Sequence, residues 1–296
     1  MPRIPTIISN PDGSVRAVNL KKIAEMPYQL LTNVPNNIIA VPANQASPQV
    51  VMSISGEGPA AIHTFAAQRT GVCRVFLQIQ DGNTPRGLMN TGCHIDTIFG
   101  NYTAGSRPYY LPEALYIDET RAIVVSITDI SGVANNVRLS MEAQRLLTRY
   151  VTTDVSRVRE RMEHRQYLAM PYFYTFDTGF VDIPAVIGSI ATGIITVGQD
   201  HHFELFQLSA VSTGLFDINI TNQQTGESIV DAPLATTFNV SSGLMLGNAS
   251  FPLKLHEPRL FEVHSKLAVT LTNRIAGVNR VFLTLGGRIL ADRMWR

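Results

Sequence analysis

The sequence predicts an all-β protein: two tandem, internally duplicated β-sandwich domains of jelly-roll type, joined by a helix and preceded by an extended N-terminal arm. Three observations predict this. The second half repeats the first, short apolar stretches alternate with turn clusters through both halves, and a single interval carries a clear helical pattern.

The repeat decides the organisation. Shifted by 144 residues, Pro108–Leu146 lies on Pro252–Leu290 without a gap, with 9 of 39 positions identical. The identities are Pro108/Pro252, Leu111/Leu255, Glu113/Glu257, Val125/Val269, Thr128/Thr272, Asn135/Asn279, Val137/Val281, Leu139/Leu283 and Leu146/Leu290. A period this long is that of a whole domain rather than of a solenoid unit. Outside the block the match continues with shifts: Leu77 and Ile79 on Ile218 and Ile220, Leu88-Met-Asn90 on Ile229-Val-Asp231, and Gly100-Asn101 on Gly247-Asn248. The first copy carries a longer loop at Tyr102–Ser106, and length changes at turns are what diverged copies of one domain show.

The elements follow in chain order. Residues 1–47 hold Pro- and Asn-rich turns around one short strand, Asn37–Val41, and read either as an arm across a neighbouring subunit or as strands on their own module. The first module spans 48–148, with strands at Val50–Ile54, Ala60–Ala66, Cys73–Ile79, Leu115–Ile117, Ala122–Ile127 and Asn136–Met141. A helical linker occupies 149–177. Thr152-Thr-Asp154 supplies cap candidates, Val155, Val158 and Met162 form one apolar stripe, and the aromatic run Pro171–Phe176 either packs at the junction or opens the next module. The second module spans 178–296, with strands near Ile190–Val197, Phe203–Val211, Leu215–Ile220, Phe238–Val240, Leu260–Val263, Leu267–Thr272 and Arg280–Leu285. Six to eight strands per module fit a sandwich, and a jelly roll needs eight.

Composition narrows the partners. Charged residues are 16% of the chain and the net charge is +1, which gives weak colloidal repulsion and suits either a subunit packed among neighbours or a β-domain with Ser, Thr, Asn and Gln on its polar faces. Nothing in that balance points to nucleic acid or an anionic membrane. Met1-Pro-Arg-Ile-Pro5 has no signal-peptide apolar region and no apolar run of membrane length occurs, so the chain is expected to be made in the cytoplasm and stay soluble. Cys73 and Cys93 lie among strand-like apolar residues and are expected as small buried hydrophobes.

The search for chemistry returns no site. His201 and His202 are adjacent, so on a strand their rings point to opposite faces and cannot share a metal. His63, His94, His164, His256 and His264 are scattered. Gly56-Glu-Gly58 and Gly286-Gly287 fit turns or bulges, not phosphate loops. Asp96 with Asp118-Glu119 could be drawn as a carboxylate pair, but Glu119 falls opposite Val263 in the repeat, which favours a structural role. Arg145, Arg149, Arg157, Arg159, Arg161 and Arg165 cluster around the linker helix, interleaved with Asp154, Glu160 and Glu163, so the helix reads as a mixed-sign face rather than a basic stripe. The sequence therefore predicts a non-enzyme with no catalytic, cofactor-binding or metal residues and no cofactor.

Two segments carry a resemblance. Ile127-Thr-Asp-Ile-Ser-Gly-Val-Ala-Asn-Asn-Val-Arg-Leu139 and Leu271-Thr-Asn-Arg-Ile-Ala-Gly-Val-Asn-Arg-Val-Phe-Leu283 share an apolar–Thr–Asp/Asn strand end, a Gly-Val turn closing on Asn, and an alternating strand. With Tyr110–Ile117 and its counterpart Leu255–Phe261, this resembles virion structural proteins of tailed bacteriophages. The resemblance covers about a third of each half. It implies a homo-oligomeric capsid-, neck- or tail-associated subunit that works by assembly with other virion proteins, found in the virion. The tandem modules are also similar to double-jelly-roll major capsid proteins. The alternatives are a carbohydrate- or receptor-binding virion protein, with Tyr109, Tyr110, Tyr172 and Tyr174 stacking on sugars, and a β-sandwich hydrolase.

Overall fold

The computed structural model describes residues 6–9, 15–18, 25–54, 59–81, 84–101, 106–117, 120–146, 169–198, 201–230 and 246–291. The expected linker helix, the strand at Phe238–Val240 and most of the Tyr102–Ser106 loop lie outside them, as do Asp118 and Glu119.

β1 (Thr6–Ser9) and β2 (Val15–Val18) form an antiparallel hairpin. The first module then runs β3 (Glu25–Leu31), β4 (Ile39–Val41), β5 (Val50–Ser53), β6 (Ala60–Arg69), β7 (Cys73–Asp81), β8 (Thr84–Gly87), β9 (Cys93–His94), a one-turn helix α1 (Ile95–Ile98), β10 (Tyr109–Ile117), β11 (Arg121–Asp129) and β12 (Asn135–Leu146). Its strands fall into two sheets, β10-β6-β12-β3 with β4 also on β12, and β5-β11-β7-β8 with β9 on β7. The second module repeats the pattern with β13 (Ala169–Thr175), β14 (Val181–Ile183), β15 (Ile190–Thr196), β16 (His201–Ser212), β17 (Phe216–Asn222), β18 (Ser228–Val230), β19 (Leu253–Phe261), β20 (Lys266–Asn273) and β21 (Asn279–Ala291). Its sheets are β13-β21-β16-β19, with β14 on β21, and β15-β20-β17-β18. Counting β3 with β4, β8 with β9 (both on the same edge of β7) and β13 with β14 as one broken strand each, each module is an eight-stranded jelly roll built of two Greek keys.

The period-2 alternation read from sequence places the core. Val137, Leu139 and Met141 of β12 face Ile123, Val125 and Ile127 of β11, all essentially unexposed, and Val281, Leu283 and Leu285 do the same in the second module. Cys73 and Cys93 are free and buried as expected, and burial pushes both thiols up to about 12.

The 144-residue offset is carried strand on strand, β10 to β19, β11 to β20 and β12 to β21. It also reaches further back than the ungapped block. Met26-Pro27-Tyr28 on β3 recurs as Met170-Pro171-Tyr172 on β13, with Met26 opposite Arg145 and Met170 opposite Ile289. Of the two readings of residues 1–47, β3 and β4 follow the second: both pair with β12 on their own module. The match of Leu88–Asn90 to Ile229–Asp231 is corrected by the register. The match of Leu77 and Ile79 to Ile218 and Ile220 is corrected with it: Val125 pairs with Leu77 and its repeat Val269 with Ile220, so Leu77 corresponds to Ile220. Since Leu88 N donates to Leu77 O while Val230 sits opposite Ile220, the counterpart of Leu88 is Val230.

The identical polar positions are turn clamps. Asn135 Oδ1 accepts from Thr70 Oγ1 at 3.0 Å, and Asn136 N donates to that hydroxyl at 2.9 Å. In the second copy Asn279 Oδ1 accepts from Thr213 Oγ1 at 3.3 Å, Arg280 N donates to Thr213 Oγ1 at 2.9 Å, and Asn279 Nδ2 donates to Leu215 O at 3.0 Å. Both asparagines are buried, and each ties one turn between the two sheets to the next, β11–β12 to β6–β7 and β20–β21 to β16–β17. Asp129 stands where the second copy has Asn273. The Ser131 hydroxyl and the Asn44, Ser131 and Gly132 amides all donate to its carboxylate, which holds it well below the usual carboxylate range.

Gly100 and Gly247 are a matched pair for a steric reason. Gly100 O accepts from Ala67 N, and Gly247 O from Ala210 N, both at 2.8 Å. A Cβ on Gly100 would overlap the Arg107 carbonyl oxygen, and one on Gly247 would overlap that of Phe251, which is 144 residues on. Gly286-Gly287, expected as a turn or bulge, lies inside β21 opposite the bulge that β16 makes between Leu205 and Gln207.

Candidate functional site: the seam between the modules

In a jelly roll one face of each sheet lines the core and the other turns outward. The outward face of the β13-β21-β16-β19 sheet is not left to solvent. Phe173, Gln207, Ser209, Phe282 and Thr284 project from it and are all buried, with Phe173 1% exposed. They are covered by residues 88–101 of the first module and by β10.

Phe173 is the apolar centre of this seam. Its ring lies 5.7 Å from Tyr109 and 6.3 Å from Phe65, which itself stacks on Phe99 at 5.1 Å. The second module thus plugs an aromatic ring into the open edge of the first module's core, and the buried cores of the two modules form one continuous cluster. The backbone joins as well. Leu88–Asn90 lies parallel to the outer edge of β13, with Phe173 N donating to Leu88 O at 2.9 Å and Asn90 N to Phe173 O at 3.2 Å. The Asn90 amide then closes a two-way clamp on Thr175, donating from Nδ2 to Thr175 O and accepting from Thr175 N, both at 2.9 Å.

Around this centre the buried polar groups are matched in pairs. The Thr97 and Thr284 hydroxyls lie 2.6 Å apart, Ser209 Oγ donates to Thr97 O at 2.6 Å, and Gln207 Nε2 donates to Tyr110 O at 3.0 Å. Arg288 donates to Glu204 of its own module at 2.6 Å and to Glu113 of β10 at 3.0 Å, so one guanidinium bridges two carboxylates across the seam. Asp96, one of the carboxylates singled out by sequence, is paired with Arg69 and through its backbone carbonyl accepts from Ala249 N at 2.8 Å. Its partners are structural.

His94 caps α1, accepting on Nδ1 from Asp96 N, and its ring lies 4.6 Å from Phe282. Burial pushes its pKa down to about 4; Asp96 opposes this, and Arg69 and Arg74 add to it. The folded value lies below the unfolded one of about 6.5. The stability tied to neutral His94 is therefore complete above that value and is lost as the pH falls toward 4. Wild-type protein is expected to lose urea resistance between about pH 7 and pH 4.5, and His94→Asn, which keeps a capping acceptor, to lose distinctly less over that window. Equal losses in both proteins would show that His94 does not titrate the seam.

The other residues named from sequence do not converge. Tyr109 and Tyr174 are buried, the latter accepting from Gly198 N at 2.8 Å, Tyr172 packs on Tyr174 and only Tyr110 stands exposed, so no row of tyrosine faces is presented to a sugar. His201 lies beside Arg86. Among the described residues no group of three His, Cys, Asp or Glu side chains is placed to hold a metal ion, and no helix is long and apolar enough to cross a membrane.

No family model matches the chain, and no curated protein does. Similarities to solved structures are found. A chain from an archaeal virus, from work on a triple jelly roll fold and turret assembly, is 12% identical over 86% of this chain, with a TM-score of 0.25; this chain spans 59% of its length. A chain of Sulfolobus Turreted Icosahedral Virus is 10% identical, covering 98% of this chain and 90% of its own, at a TM-score of 0.25. Recombinant N-glycanase F is 8% identical, covering 90% and 96%, at a TM-score of 0.33. Scores this low do not establish a common fold. The jelly-roll assignment rests on this chain's own strand order.

A second surface is marked at one end of the second module. Asn273 Nδ2 donates to Pro184 O at 2.7 Å and Gly277 O at 2.8 Å, drawing two loops together. Those loops and the start of β15 expose Val186, Ile187, Ile190 and Val278, each at least 60% accessible.

Proposed function

We propose that the chain is a non-enzymatic structural subunit of a virus particle, a bacteriophage in particular, that self-assembles through protein–protein contacts. The observation that carries this reading is the seam. One jelly roll covers the outer sheet face of another through an aromatic plug, added backbone pairing and matched polar groups, which is the anatomy of a subunit interface written inside one chain. A block of two such modules is a tile with two quasi-equivalent halves. Low charge suits a surface that is covered by neighbours. The segments around Asp129 and Asn273, whose resemblance suggested a phage virion protein, prove to be the clamped turns of each module, so the shared pattern is that of a fold element used twice.

Mass spectrometry of purified particles, with immunogold labelling of intact ones, tests the assignment. Particles are expected to contain the chain at a copy number above that of a trace contaminant, with label on their exterior. Particles that lack it, together with its recovery as a free protein from infected-cell lysate, would overturn the reading.

A further inference from the structure

The seam has an unused twin. Every position that buries the outer face of the second module has a counterpart on the outer face of the β10-β6-β12-β3 sheet, because the two sheets share strand order and register. Opposite Phe173 in the repeat stands Gln29, opposite Phe282 Arg138, opposite Thr284 Ser140, opposite Gly286 Glu142, and opposite Arg288 Gln144. Here Gln29, Arg138, Glu142 and Gln144 are exposed, and Leu31, the counterpart of the fully buried Thr175, is 44% accessible. A groove of about 390 Å³ runs over this face between Gln29, Leu31, Ala66 and Ser140.

The covering part has an unused twin too. β10 lies in the seam, with Tyr109 1% exposed; its repeat, β19, lies at the free edge of the second module with Lys254, His256, Glu257 and Leu260 exposed. Glu113, which reaches Arg288 across the seam, is repeated identically as Glu257. Among the described residues the two-module block thus presents one sheet face on which Gln29, Leu31, Arg138 and Gln144 are exposed while Thr64 and Ala66, opposite Gln207 and Ser209 in the repeat, are buried, and one covering edge that the internal seam does not use. The internal seam shows how such a pair fits.

We infer that the outer face of the first module's β10-β6-β12-β3 sheet is the docking site for the second module of another copy of this chain, with β19 of that copy placed as β10 is placed in the internal seam and its Glu257 facing Gln144. This rests on the assembly reading above and names its partner and surface. The contact is heterologous, face to edge, so repetition around a closing rotation gives a ring in which modules alternate and the internal and external seams are near-equivalents. Gln29 in place of Phe173 makes the external version wetter than the internal one, as suits a contact formed between folded chains rather than during folding.

The test uses the full chain carrying Gln144→Cys and Glu257→Cys, treated with a short bis-maleimide; native Cys73 and Cys93 are buried and do not compete. A ladder of covalent multimers on a denaturing gel is expected, and mixing the two single-cysteine chains should give a cross-linked dimer where neither alone does. In parallel, Ser140→Trp, on a half-buried surface position, should raise the concentration needed for assembly at least about tenfold while leaving the unfolding midpoint unchanged. Wild-type assembly with no ladder, and with Ser140→Trp assembling normally, would overturn this surface while leaving the assembly function standing. A wild-type chain that stays monomeric would overturn both.

Discussion

Replacing Phe173 by alanine is expected to destabilise the protein by about 3–5 kcal/mol, the range for removing a buried phenylalanine. The ring is 1% exposed and projects from β13 against Tyr109 and Phe65 of the first module. Its loss opens a cavity at the point where the two cores meet. The second expected result is loss of coupling. Wild-type protein, with one continuous core, should unfold in a single transition; the variant should show two, as the modules come to unfold separately. A urea titration followed by tryptophan and tyrosine fluorescence reads both quantities. A change below about 1 kcal/mol with one intact transition would show that the seam is held by its polar pairs instead.

Gly247→Ala carries the other large effect. The residue has a φ of 64°, which costs a non-glycine residue roughly 1–2 kcal/mol, and a Cβ there would overlap the Phe251 carbonyl oxygen. The colliding atom is backbone, so relief requires moving the whole turn that leads into β19. The sum is expected to reach about 3 kcal/mol or more, visible as a lowered urea midpoint and increased proteolysis near Ser250. Gly100→Ala should behave alike, since its Cβ would meet the Arg107 carbonyl oxygen, but Gly100 has no positive φ and its cost should be smaller. Equal stability of wild type and both variants would contradict the matched steric role.

These two residues also show what could be read from sequence. The glycine pair is visible because repetition exposes it: Gly100 and Gly247 stand out only when one half is laid on the other. The core strands were legible for the same reason, helped by clean alternation at Val137, Leu139 and Met141. The strand β3 was not. Glu25-Met-Pro-Tyr-Gln-Leu-Leu31 has no alternation and holds a proline, which speaks against a central strand; the chain places it at a sheet edge, where proline is tolerated. The signal that could have found it is the recurrence of Met-Pro-Tyr at the same 144-residue offset, some eighty residues before the ungapped block begins and so out of reach of extending it. The alternation predicts only Leu115–Ile117 of β10, which spans Tyr109–Ile117, because Pro112 and a bulge between Tyr110 and Leu115 disguise an edge strand. The seam itself was illegible. Phe173 sits in an aromatic run that suits any core, and its partners come from a connection some eighty residues earlier, joined to it only by the fold.

The central claim is that this two-module block is built to be a subunit. Its native mass across a concentration series is the most direct test. Light scattering of the purified chain should give closed assemblies at integral multiples of the 32.5 kDa protomer, growing in population with concentration and unchanged in stoichiometry once formed. A single 32.5 kDa species persisting to millimolar concentration would contradict it.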